Sequence, residues 1–563
     1  MSSMCRIFVS RNLVRLPNLR RFRWSIQRLA FLVYMMPHRC THHQMFNLSE
    51  KIPEYLETKC QSNPNSAPGL SSHRECDQTD RFSWIGSNIP CFKLSGKQVN
   101  VLTEPTQFFE TLKLKARKSR KRIIMASLYL GTGTLEQELV DSLNEACRQS
   151  LAEGNKDFDV HILLDYTRGR RGSENSCTIL QPVLSAYPQN ARLSLFHTPD
   201  LRGILKKIMP NRYNETIGLH HMKVYLFDDS LIISGANLSE TYFTNRQDRY
   251  ILFNNCPEMA DFFSSLIKTV ASFSFQVNSD CSVTFPEEFG VHPYEDSDDG
   301  SRFKWKARDK VLALLRKTVN ENCFNSSQSS SPKNSVCNSN PNQSESDSSD
   351  SNADTFVYPL IQMGPLGILD DEEITKHLLR SATQEDEILL ASGYFNLTDH
   401  YLKLILEKSC ARFKIMMASP EVNGFYGASG AAGAIPYLYI QVARQFHQKL
   451  CAFEQQKRIQ LYEYYRNKWT FHVKGLWYYI SKDQLPSLTL IGSSNFGYRS
   501  VYRDLECQLA IITQNENLRQ QLRQEHVHLF QSSDIVSETT FKRKDRYVPI
   551  WVQLISNYIK NFF

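Results

Sequence analysis

Among the places in this 563-residue chain where a histidine stands two positions before a lysine, two have matching flanking residues. His221 and Lys223 form the first pair, and His472 and Lys474 form the second. A neutral imidazole can attack phosphorus or protonate a leaving oxygen, and an ammonium can neutralise phosphate oxygens in the transition state. If each pair lies on a strand, its two side chains share one face and can point at one phosphate. The spacing therefore predicts metal-free chemistry on a phosphodiester.

Both pairs are followed by the same residue types. Asn237 and Asp248 are eleven positions apart, as are Asn495 and Glu506. Amides and hydroxyls can donate to phosphate, and a carboxylate on the far ring nitrogen fixes the tautomer and orientation of a histidine. An isolated histidine is usually a satisfied core residue, but two sets with matching flanks and spacing argue against that interpretation.

The two halves of the chain also repeat the elements that would position these residues. Residues 122–143 (RIIMASLYLGTGTLEQELVDSL) match residues 387–406 (EILLASGYFNLTDHYLKLIL), and each reads as a buried strand, a Tyr two positions after Ala-Ser, a polar turn and a helix. Further predicted strands follow in matching order: 158–169 with 412–424, and 192–198 with 458–465. Alternating strands and helices predict an α/β fold of mixed, mostly parallel sheets between helices.

A Ser- and Asn-rich segment separates the two halves. Residues 323–355 contain too few apolar side chains to bury a core, which predicts a disordered loop. We therefore expect a first domain at 90–322 and a second at 356–563, which ends in an amphipathic helix. Two pseudo-symmetric domains that face each other would form one composite active site at their interface.

The N-terminal residues 1–49 contain no Asp or Glu and are rich in Arg and apolar side chains. This composition predicts a mitochondrial transit peptide, with a basic disordered tail as the alternative. The group His38, His42 and His43 near Cys40 is a weak candidate for a metal site, and we expect no metal. No apolar run reaches the ~20 residues that span a bilayer.

The motif residues carry a resemblance to a known superfamily. His221, Lys223 and Asp228 match HxKxxxxD, and the chain resembles the phospholipase D superfamily nearly everywhere outside the N-terminal arm and the loop. Three segments are similar, more narrowly, to the CDP-diacylglycerol–glycerol-3-phosphate 3-phosphatidyltransferase family: 125–139, 220–250 and 471–479. The resemblance implies transfer of a phosphatidyl group from CDP-diacylglycerol to glycerol-3-phosphate, without a cofactor, by a peripheral protein of the mitochondrial inner membrane.

The resemblance also implies residue roles. His221 attacks the phosphatidyl phosphorus, and His472 protonates the leaving CMP and then deprotonates the acceptor, although the near-symmetry of the halves leaves open which histidine is the nucleophile. Asp248 and Glu506 orient the two histidines. The transferred phosphate is held by four side chains: Lys223, Lys474, Asn237 and Asn495.

Two departures from the superfamily pattern bear on the second half. Tyr479 stands where the motif Asp is expected, with Asp483 out of register, and the first half has SGAN in place of GSAN. We interpret the motif Asp, including Asp228, as a structural anchor. Ser493 and the other polar residues of the second motif remain, so the sequence predicts a working composite site.

Two further segments are candidates for phosphate binding. The Gly-rich turn after the first strand suits the nucleotide phosphates, although a plain strand-to-helix turn is an equal alternative. It comprises Ala126, Ser127, Leu128, Tyr129, Leu130, Gly131, Thr132 and Gly133. The basic turn after the second strand suits glycerol-3-phosphate or lipid headgroups, although a solvated turn is an equal alternative. It contributes Arg168, Arg170 and Arg171.

The C-terminal segment has one apolar helical stripe, which fits either core packing or a helix at a membrane surface. Its members are Trp551, Leu554, Ile555, Tyr558, Ile559 and Phe562.

Other functions are compatible with the same motifs. A cardiolipin synthase or a phospholipase D would use them, as would a nuclease, and a scaffold that has lost activity is a third alternative. The net charge of +8 lies partly in the acid-free arm, so we expect no nucleic-acid partner.

Overall fold

The computed structural model describes residues 80–209, 214–296, 298–329, 353–428, 430–481 and 483–562. The predicted transit peptide and the histidine group near Cys40 lie outside these residues. Of the described residues, those from 80 to 427 and from 435 to 562 belong to one compact unit, and the short 3₁₀ helix Gly430–Ala434 falls outside it. Helix Ser301–Ser329 extends into the predicted loop, most of which also lies outside the described residues.

The first half forms one sheet. Its strands are paired in the order β11-β10-β5-β4-β3-β6-β7-β9-β2, while β1 joins the other sheet and β8 a small third one. The strands of this half are β1 (Phe92–Leu94), β2 (Val99–Leu102), β3 (Arg122–Ala126), β4 (Asp159–Asp165), β5 (Ala191–Phe196), β6 (Val224–Phe227), β7 (Ser230–Ser234), β8 (Arg246–Gln247), β9 (Tyr250–Phe253), β10 (Phe275–Val277) and β11 (Val283–Thr284).

The second half forms a sheet with a corresponding order, β1-β12-β20-β19-β18-β14-β15-β16-β21, with β13 beside β12. The run β5-β4-β3-β6-β7-β9-β2 thus has its counterpart in β16-β15-β14-β18-β19-β20-β12. The strands are β12 (Thr355–Met363), β13 (Ile368–Leu369), β14 (Glu387–Ser392), β15 (Arg412–Ala418), β16 (Ile459–Tyr464), β17 (Thr470–Phe471), β18 (Lys474–Tyr479), β19 (Leu488–Gly492), β20 (Leu505–Thr513) and β21 (Ser533–Ile535).

The prediction of mixed sheets is confirmed, but the expectation that they are mostly parallel is wrong. Parallel pairing in the two large sheets is confined to β3-β4-β5 and β14-β15-β16, the strands joined through helices. The strands after them return through short connections, and such connections can join only antiparallel neighbours. β6 and β7, for example, are separated by two residues.

Helices cover both sheets. In the first half they are α1 (Pro105–Lys118), α2 (Thr134–Ala152), α3 (Tyr166–Gly169), α4 (Ser176–Ala186), α5 (Gly203–Ile208), α6 (Glu240–Thr244), α7 (Pro257–Ala271) and α8 (Ser301–Ser329). In the second they are α9 (Asp370–Ser381), α10 (Asp399–Lys403), α11 (Ile435–Ala452), α12 (Tyr498–Tyr502), α13 (Glu516–Phe530), α14 (Glu538–Lys542) and α15 (Ile550–Ile559). None of these described helices has the length and apolar content needed to cross a bilayer.

The apolar side chains form three cores. One lies between the first sheet and α1, α2 and α4, and another lies between the second sheet and α9, α11 and α15. The third combines residues of both sheets with α7, α8 and α13, and includes Ile124 of β3, Trp477 of β18 and Leu522 of α13. Because this central core draws on both halves, they form a single packed body, which fixes the two His-Lys motifs relative to each other.

Candidate active site

The two motifs lie in extended chain at the start of equivalent strands. His221 and Lys223 come directly before β6, and His472 comes directly before β18, so the motifs begin these strands rather than lying within them. The side chains of His221 and His472 are 12% and 5% exposed, and both lysines are buried. The start of each strand therefore brings an imidazole and an ammonium group into a nearly closed space.

Backbone pairing carries each motif to the opposite half. The His221 amide donates to the Leu505 carbonyl oxygen over 2.8 Å, and the His472 amide donates to the Gln247 carbonyl oxygen over 2.9 Å. Strands β8 and β17 extend the second contact as a parallel pair. Leu505 and Gln247 each directly precede an acidic residue, so this pairing decides which carboxylate each histidine meets.

Each histidine consequently contacts a carboxylate that belongs to the other half of the chain. Nδ1 of His221 lies 2.9 Å from Oε2 of Glu506, and Nδ1 of His472 lies 2.7 Å from Oδ2 of Asp248. Both carboxylates are almost fully buried. A carboxylate on Nδ1 holds the proton there and leaves Nε2 directed at the substrate. Each histidine thus depends on an acid from the other half of the chain.

The two lysines fold back onto their own motifs. Nζ of Lys223 donates to the His221 carbonyl oxygen, and Nζ of Lys474 donates to the His472 carbonyl oxygen, both over 2.7 Å. Burial lowers the pKa of Lys474 to about 8, although Asp248 and Glu506 oppose the shift. Burial also lowers the pKa of Lys223 well below its usual value. The ammonium groups are therefore held, poorly hydrated, beside the histidines.

The environment favours the neutral form of both histidines. Burial lowers the pKa of both imidazoles well below the usual range, and the nearest lysine of each motif adds to the shift. Burial raises the pKa of Asp248 to about 6 and raises that of Glu506 in the same direction. Neutral imidazoles are the form that can attack phosphorus or accept a proton.

The predicted neutral donors divide into two kinds. Nδ2 of Asn237 donates to the Tyr242 hydroxyl at 3.0 Å, so this amide supports the residue beside His472. Oδ1 of Asn237 and Oδ1 of Asn495 are buried acceptors without a donor among the described residues. Ser493 differs from the prediction. Its hydroxyl exchanges two hydrogen bonds with the backbone of Cys507, at 3.1 and 3.2 Å, and so fixes the strand that carries Glu506.

Sequence reasoning missed two tyrosines that pack on His472. The Tyr242 hydroxyl lies 3.3 Å from Nε2 of His472, and the Tyr242 and Tyr394 rings meet the imidazole edge-on at centroid distances of 5.1 and 5.5 Å. Gly393 allows this approach, because a Cβ there would lie 2.9 Å from the His472 Cα. Tyr394 had a sequence signal, since Tyr129 occupies the same position in the first repeat.

Asp228, interpreted from the sequence as a structural anchor, lies at the far end of the strand that follows the first motif. It follows the last residue of β6, at the opposite end from His221, with a left-handed φ of 52°. Its carboxylate accepts hydrogen bonds from the backbone amides of Arg120, Lys121 and Arg122 at 2.7–3.1 Å. Those amides belong to the loop before β3, so Asp228 anchors a turn.

In the second half the anchoring carboxylate comes from the other side of the turn. Asp386, in the loop before β14, accepts from the Ser481 amide at 3.1 Å and from the Tyr478 hydroxyl at 2.9 Å. Tyr479, which replaces the motif Asp, has its hydroxyl against His526 instead. The same two loops are therefore tied together without an acid in the motif.

Comparison with known proteins agrees with this geometry. A phosphatidylserine synthase from Haemophilus influenzae Rd KW20 has a similar fold, with a TM-score of 0.61 and 20% sequence identity over 86% of this chain and 97% of that one. The mitochondrial CDP-diacylglycerol–glycerol-3-phosphate 3-phosphatidyltransferase of Gallus gallus is 49% identical over 493 residues, and that of Homo sapiens is 48% identical over 484. Each of these two alignments covers 86% of both chains.

The chain belongs to the CDP-diacylglycerol–glycerol-3-phosphate 3-phosphatidyltransferase family. The resemblance of the motif segments to this family is thereby confirmed, and the α/β fold is similar to that of the phosphatidylserine synthase. No family model matches the chain. Within the described residues, no group of three His, Cys, Asp or Glu side chains is arranged to hold a metal ion.

The Gly-rich turn of this family member is poorly suited to act as the predicted phosphate cradle. The amides of Ser127, Leu130 and Gly131 already donate to protein acceptors at 2.8–3.1 Å. The Glu136 carboxylate lies against the turn and accepts from the Glu240 amide. A carboxylate thus lies close to the place where an anion would bind, which disfavours nucleotide binding by residues 126–133, although that binding stays a prediction.

The basic turn is also largely neutralised. Arg168 and Arg171 both form ion pairs with Glu215, a residue more than forty positions away. Arg170 donates to the Tyr166 hydroxyl at 2.7 Å. Because Glu215 takes up two of the three cations, the structure gives these arginines a role in holding the loop before the first motif rather than an open phosphate site.

Proposed function

We propose that this chain transfers the phosphatidyl group of CDP-diacylglycerol to glycerol-3-phosphate, with phosphatidylglycerophosphate and CMP as products. The observation that carries the proposal is the pair of buried His–carboxylate contacts exchanged between the halves. Membership of the family supports the identity of both substrates. Transfer in two steps needs two histidines with separate tasks, which a composite site supplies.

We assign the nucleophile to His221. Its Nδ1 faces Glu506, and its Nε2 has no hydrogen-bond partner among the described residues. In the first step Nε2 forms a P–N bond to the phosphatidyl phosphorus, and the P–O bond to CMP breaks. In the second step the acceptor oxygen forms a P–O bond, and the P–N bond breaks. His221 therefore carries a phosphatidyl group between the two steps.

We assign proton transfer to His472. Its Nε2 lies 3.3 Å from the Tyr242 hydroxyl, and Nζ of Lys474 lies 2.6 Å from its Nδ1 and 3.2 Å from its Nε2. The histidine takes up a proton on Nε2 before the first step and gives it to the oxygen of the leaving CMP. The imidazole, now neutral, takes the proton from the hydroxyl of glycerol-3-phosphate in the second step. Lys223 and Lys474 stabilise the charge on the phosphoryl oxygens during both steps.

The membrane contact is proposed for the outer face of α15. Ile550, Leu554 and Tyr558 are 69%, 66% and 72% exposed, whereas Val552 on the inner face is buried. The stripe predicted from sequence thus divides between two faces, and Trp551 and Ile559 pack against the core. An exposed apolar face beside the site suits a protein that draws a lipid substrate from the surface of the inner mitochondrial membrane.

The position of this face relative to the site supports the proposal. Nζ of Lys560 forms an ion pair with Asp399 over 2.7 Å, and the Arg503 guanidinium lies 4.4 Å from the Phe562 ring. Arg503 belongs to the segment between Asn495 and Glu506. The end of α15 is therefore fastened to the loop that carries catalytic groups.

The activity is tested with purified protein, CDP-diacylglycerol, labelled glycerol-3-phosphate and a metal chelator. We expect equal amounts of phosphatidylglycerophosphate and CMP. Product formed only with water, nucleic acid or a different alcohol would overturn the assignment of the acceptor. Loss of activity on addition of the chelator would overturn the metal-free mechanism.

The membrane contact is tested by liposome co-sedimentation of the double variant Leu554→Asp/Tyr558→Asp. Two charges on the exposed face should abolish sedimentation with liposomes that contain CDP-diacylglycerol. The matched control is Val527→Asp, an exposed apolar position on α13. Sedimentation of the double variant equal to that of the control would contradict the proposal.

A further inference from the structure

A cation without an acidic partner lies beside His472. Nη1 of Arg246 donates to the Tyr242 hydroxyl at 3.2 Å, and the guanidinium lies 4.5 Å from the Tyr242 ring centroid. Its Nε is buried and has no hydrogen-bond partner, and no carboxylate of the described residues forms an ion pair with it. A guanidinium withdrawn from water without a counter-charge is costly unless an anion completes it.

The equivalent position in the second half has the opposite charge. Arg246 stands nine positions after Asn237, and Asp504 stands nine positions after Asn495. Asp504 accepts from the Leu219 amide at 2.9 Å and forms an ion pair with Arg499 at 3.1 Å. The surroundings of His221 are thus balanced in charge, whereas those of His472 retain a positive charge.

A second hydroxyl lies beside this guanidinium. A Cβ placed on Gly424 would lie 2.7 Å from the Tyr394 hydroxyl and 3.4 Å from Nη1 of Arg246, so both groups pack against the same glycine. The Tyr242 hydroxyl accepts from Arg246 and Asn237 and lies 3.3 Å from Nε2 of His472, so its single proton is engaged there. Burial raises the pKa of Tyr394, which keeps that phenol protonated as a donor. A guanidinium with a hydroxyl donor beside it is a set suited to phosphate.

We propose that Arg246, with the hydroxyl of Tyr394, binds the phosphate monoester of glycerol-3-phosphate. The proposal rests on the function assigned above and specifies how that site selects its acceptor. Two consecutive hydrogen bonds, through the Tyr242 hydroxyl, separate His472 from Arg246. In the acceptor, a three-carbon chain separates the reacting hydroxyl from the phosphate. One molecule can therefore reach both groups, with its hydroxyl at His472 and its phosphate at Arg246.

The position of the cation also explains a choice between acceptors. Water and glycerol have no phosphate, so they leave the guanidinium without its anion. A site built to pair a buried polar group rejects analogues that lack the partner. Arg246 thereby favours glycerol-3-phosphate over hydrolysis of the phosphatidyl-enzyme.

The test separates the two half-reactions. Arg246→Gln is compared with wild type for the KM of glycerol-3-phosphate, for use of glycerol as acceptor, and for exchange of labelled CMP into CDP-diacylglycerol without acceptor. We expect the KM to rise about 10- to 100-fold, the preference for glycerol-3-phosphate over glycerol to fall by a similar factor, and CMP exchange to be unchanged. The matched control is Arg444→Gln, since Arg444 also has a buried Nε without a partner but donates to the Arg546 carbonyl.

Other results overturn the proposal. Loss of CMP exchange with an unchanged KM would assign the cation to the nucleotide phosphate. Equal loss of both half-reactions would make Arg246 a structural residue, and no change in either would remove it from the site. If Arg246→Gln does not fold, Arg246→Lys and Tyr394→Phe are held to the same criterion. Failure of the proposed function itself is distinct, because wild-type protein would then form no product from glycerol-3-phosphate.

Discussion

The two His-Lys motifs have the same residues at matching positions but different neighbours. His221 faces Glu506, with the Asp504–Arg499 ion pair close by, and its Nε2 is open. His472 faces Asp248 and is enclosed by two tyrosines. The repeat therefore supplies two equal sets of reactive groups in different surroundings, and this difference is the basis of the separate tasks that we propose for the histidines.

At the turns behind the motifs, by contrast, different residues serve the same structural purpose. Asp228 and Asp386 stand on different sides of equivalent turns, yet each carboxylate ties the end of its motif strand to the loop before the neighbouring strand. Structural anchoring requires only that a carboxylate reach backbone amides, so either side of the turn can supply it. Catalytic groups have less freedom, because they must meet one substrate from fixed directions.

The largest expected effect is the loss of either histidine. His221→Asn and His472→Asn should each reduce kcat by about 10⁴-fold or more, since each removes a group that makes or breaks a bond. Steady-state formation of phosphatidylglycerophosphate measures this. Transferase activity retained in His472→Asn would show that the second half does not act, and the composite site would be wrong.

The exchanged carboxylates come next. Glu506→Gln and Asp248→Asn should each lower kcat on the order of 10²–10⁴-fold, because the histidine loses the partner that fixes its tautomer. The comparison of the halves makes a sharper prediction: Glu506→Gln should slow CMP exchange more than Asp248→Asn does. The opposite order would reverse the roles assigned to the two histidines.

The pH dependence of kcat/KM should be bell-shaped. As pH falls through about 6, the Asp248 carboxylate becomes protonated. Without its negative charge it fixes the orientation of His472 less firmly, so activity falls. As pH rises through about 8, Lys474 loses its charge and stabilises the phosphoryl oxygens less, so activity falls again. Lys474→Arg keeps its charge and should move the alkaline limb upward. An unmoved limb would contradict the assignment to Lys474.

The smallest effects are expected at the anchors. Asp228→Asn and Asp386→Asn should each lower the free energy of unfolding by about 1–3 kcal/mol, because buried backbone amides lose a charged acceptor. The kcat of folded protein should be unchanged. Urea denaturation of both variants, with the exposed Asp141→Asn as control, measures the difference. A large loss of kcat in Asp228→Asn alone would place Asp228 in the catalytic set.

The sequence was sufficient for the reactive groups and for the strands that repeat in the two halves, but not for their largely antiparallel pairing. The two motifs and the acids eleven positions after each Asn identified the residues that meet at the centre. Assignment of Glu506 to His221 could not be predicted, because it follows from backbone pairing of Leu505 with the opposite motif. Such pairing depends on how two sheets share a core, which local patterns do not report.

The candidates that the structure disfavours have distant partners. The Arg168 and Arg171 pair looked available because Glu215 is remote in sequence, and the Gly-rich turn looked open because the position of the Glu136 carboxylate was unknown. Arg246 was overlooked for the same reason, since an arginine without an acid can be recognised only when all its neighbours are known. Asp386, likewise, can be recognised as an anchor only from the geometry of its turn.

The most direct test of the division of labour is to trap the covalent intermediate. CMP is a weakly basic leaving group, so His472→Asn should still form the phosphatidyl-enzyme with CDP-diacylglycerol but should fail to pass the group to glycerol-3-phosphate. Peptide mass spectrometry of this variant should find the phosphatidyl group on His221, and His221→Asn should remain unlabelled. An adduct on His472 in His221→Asn, with no adduct in His472→Asn, would contradict the account.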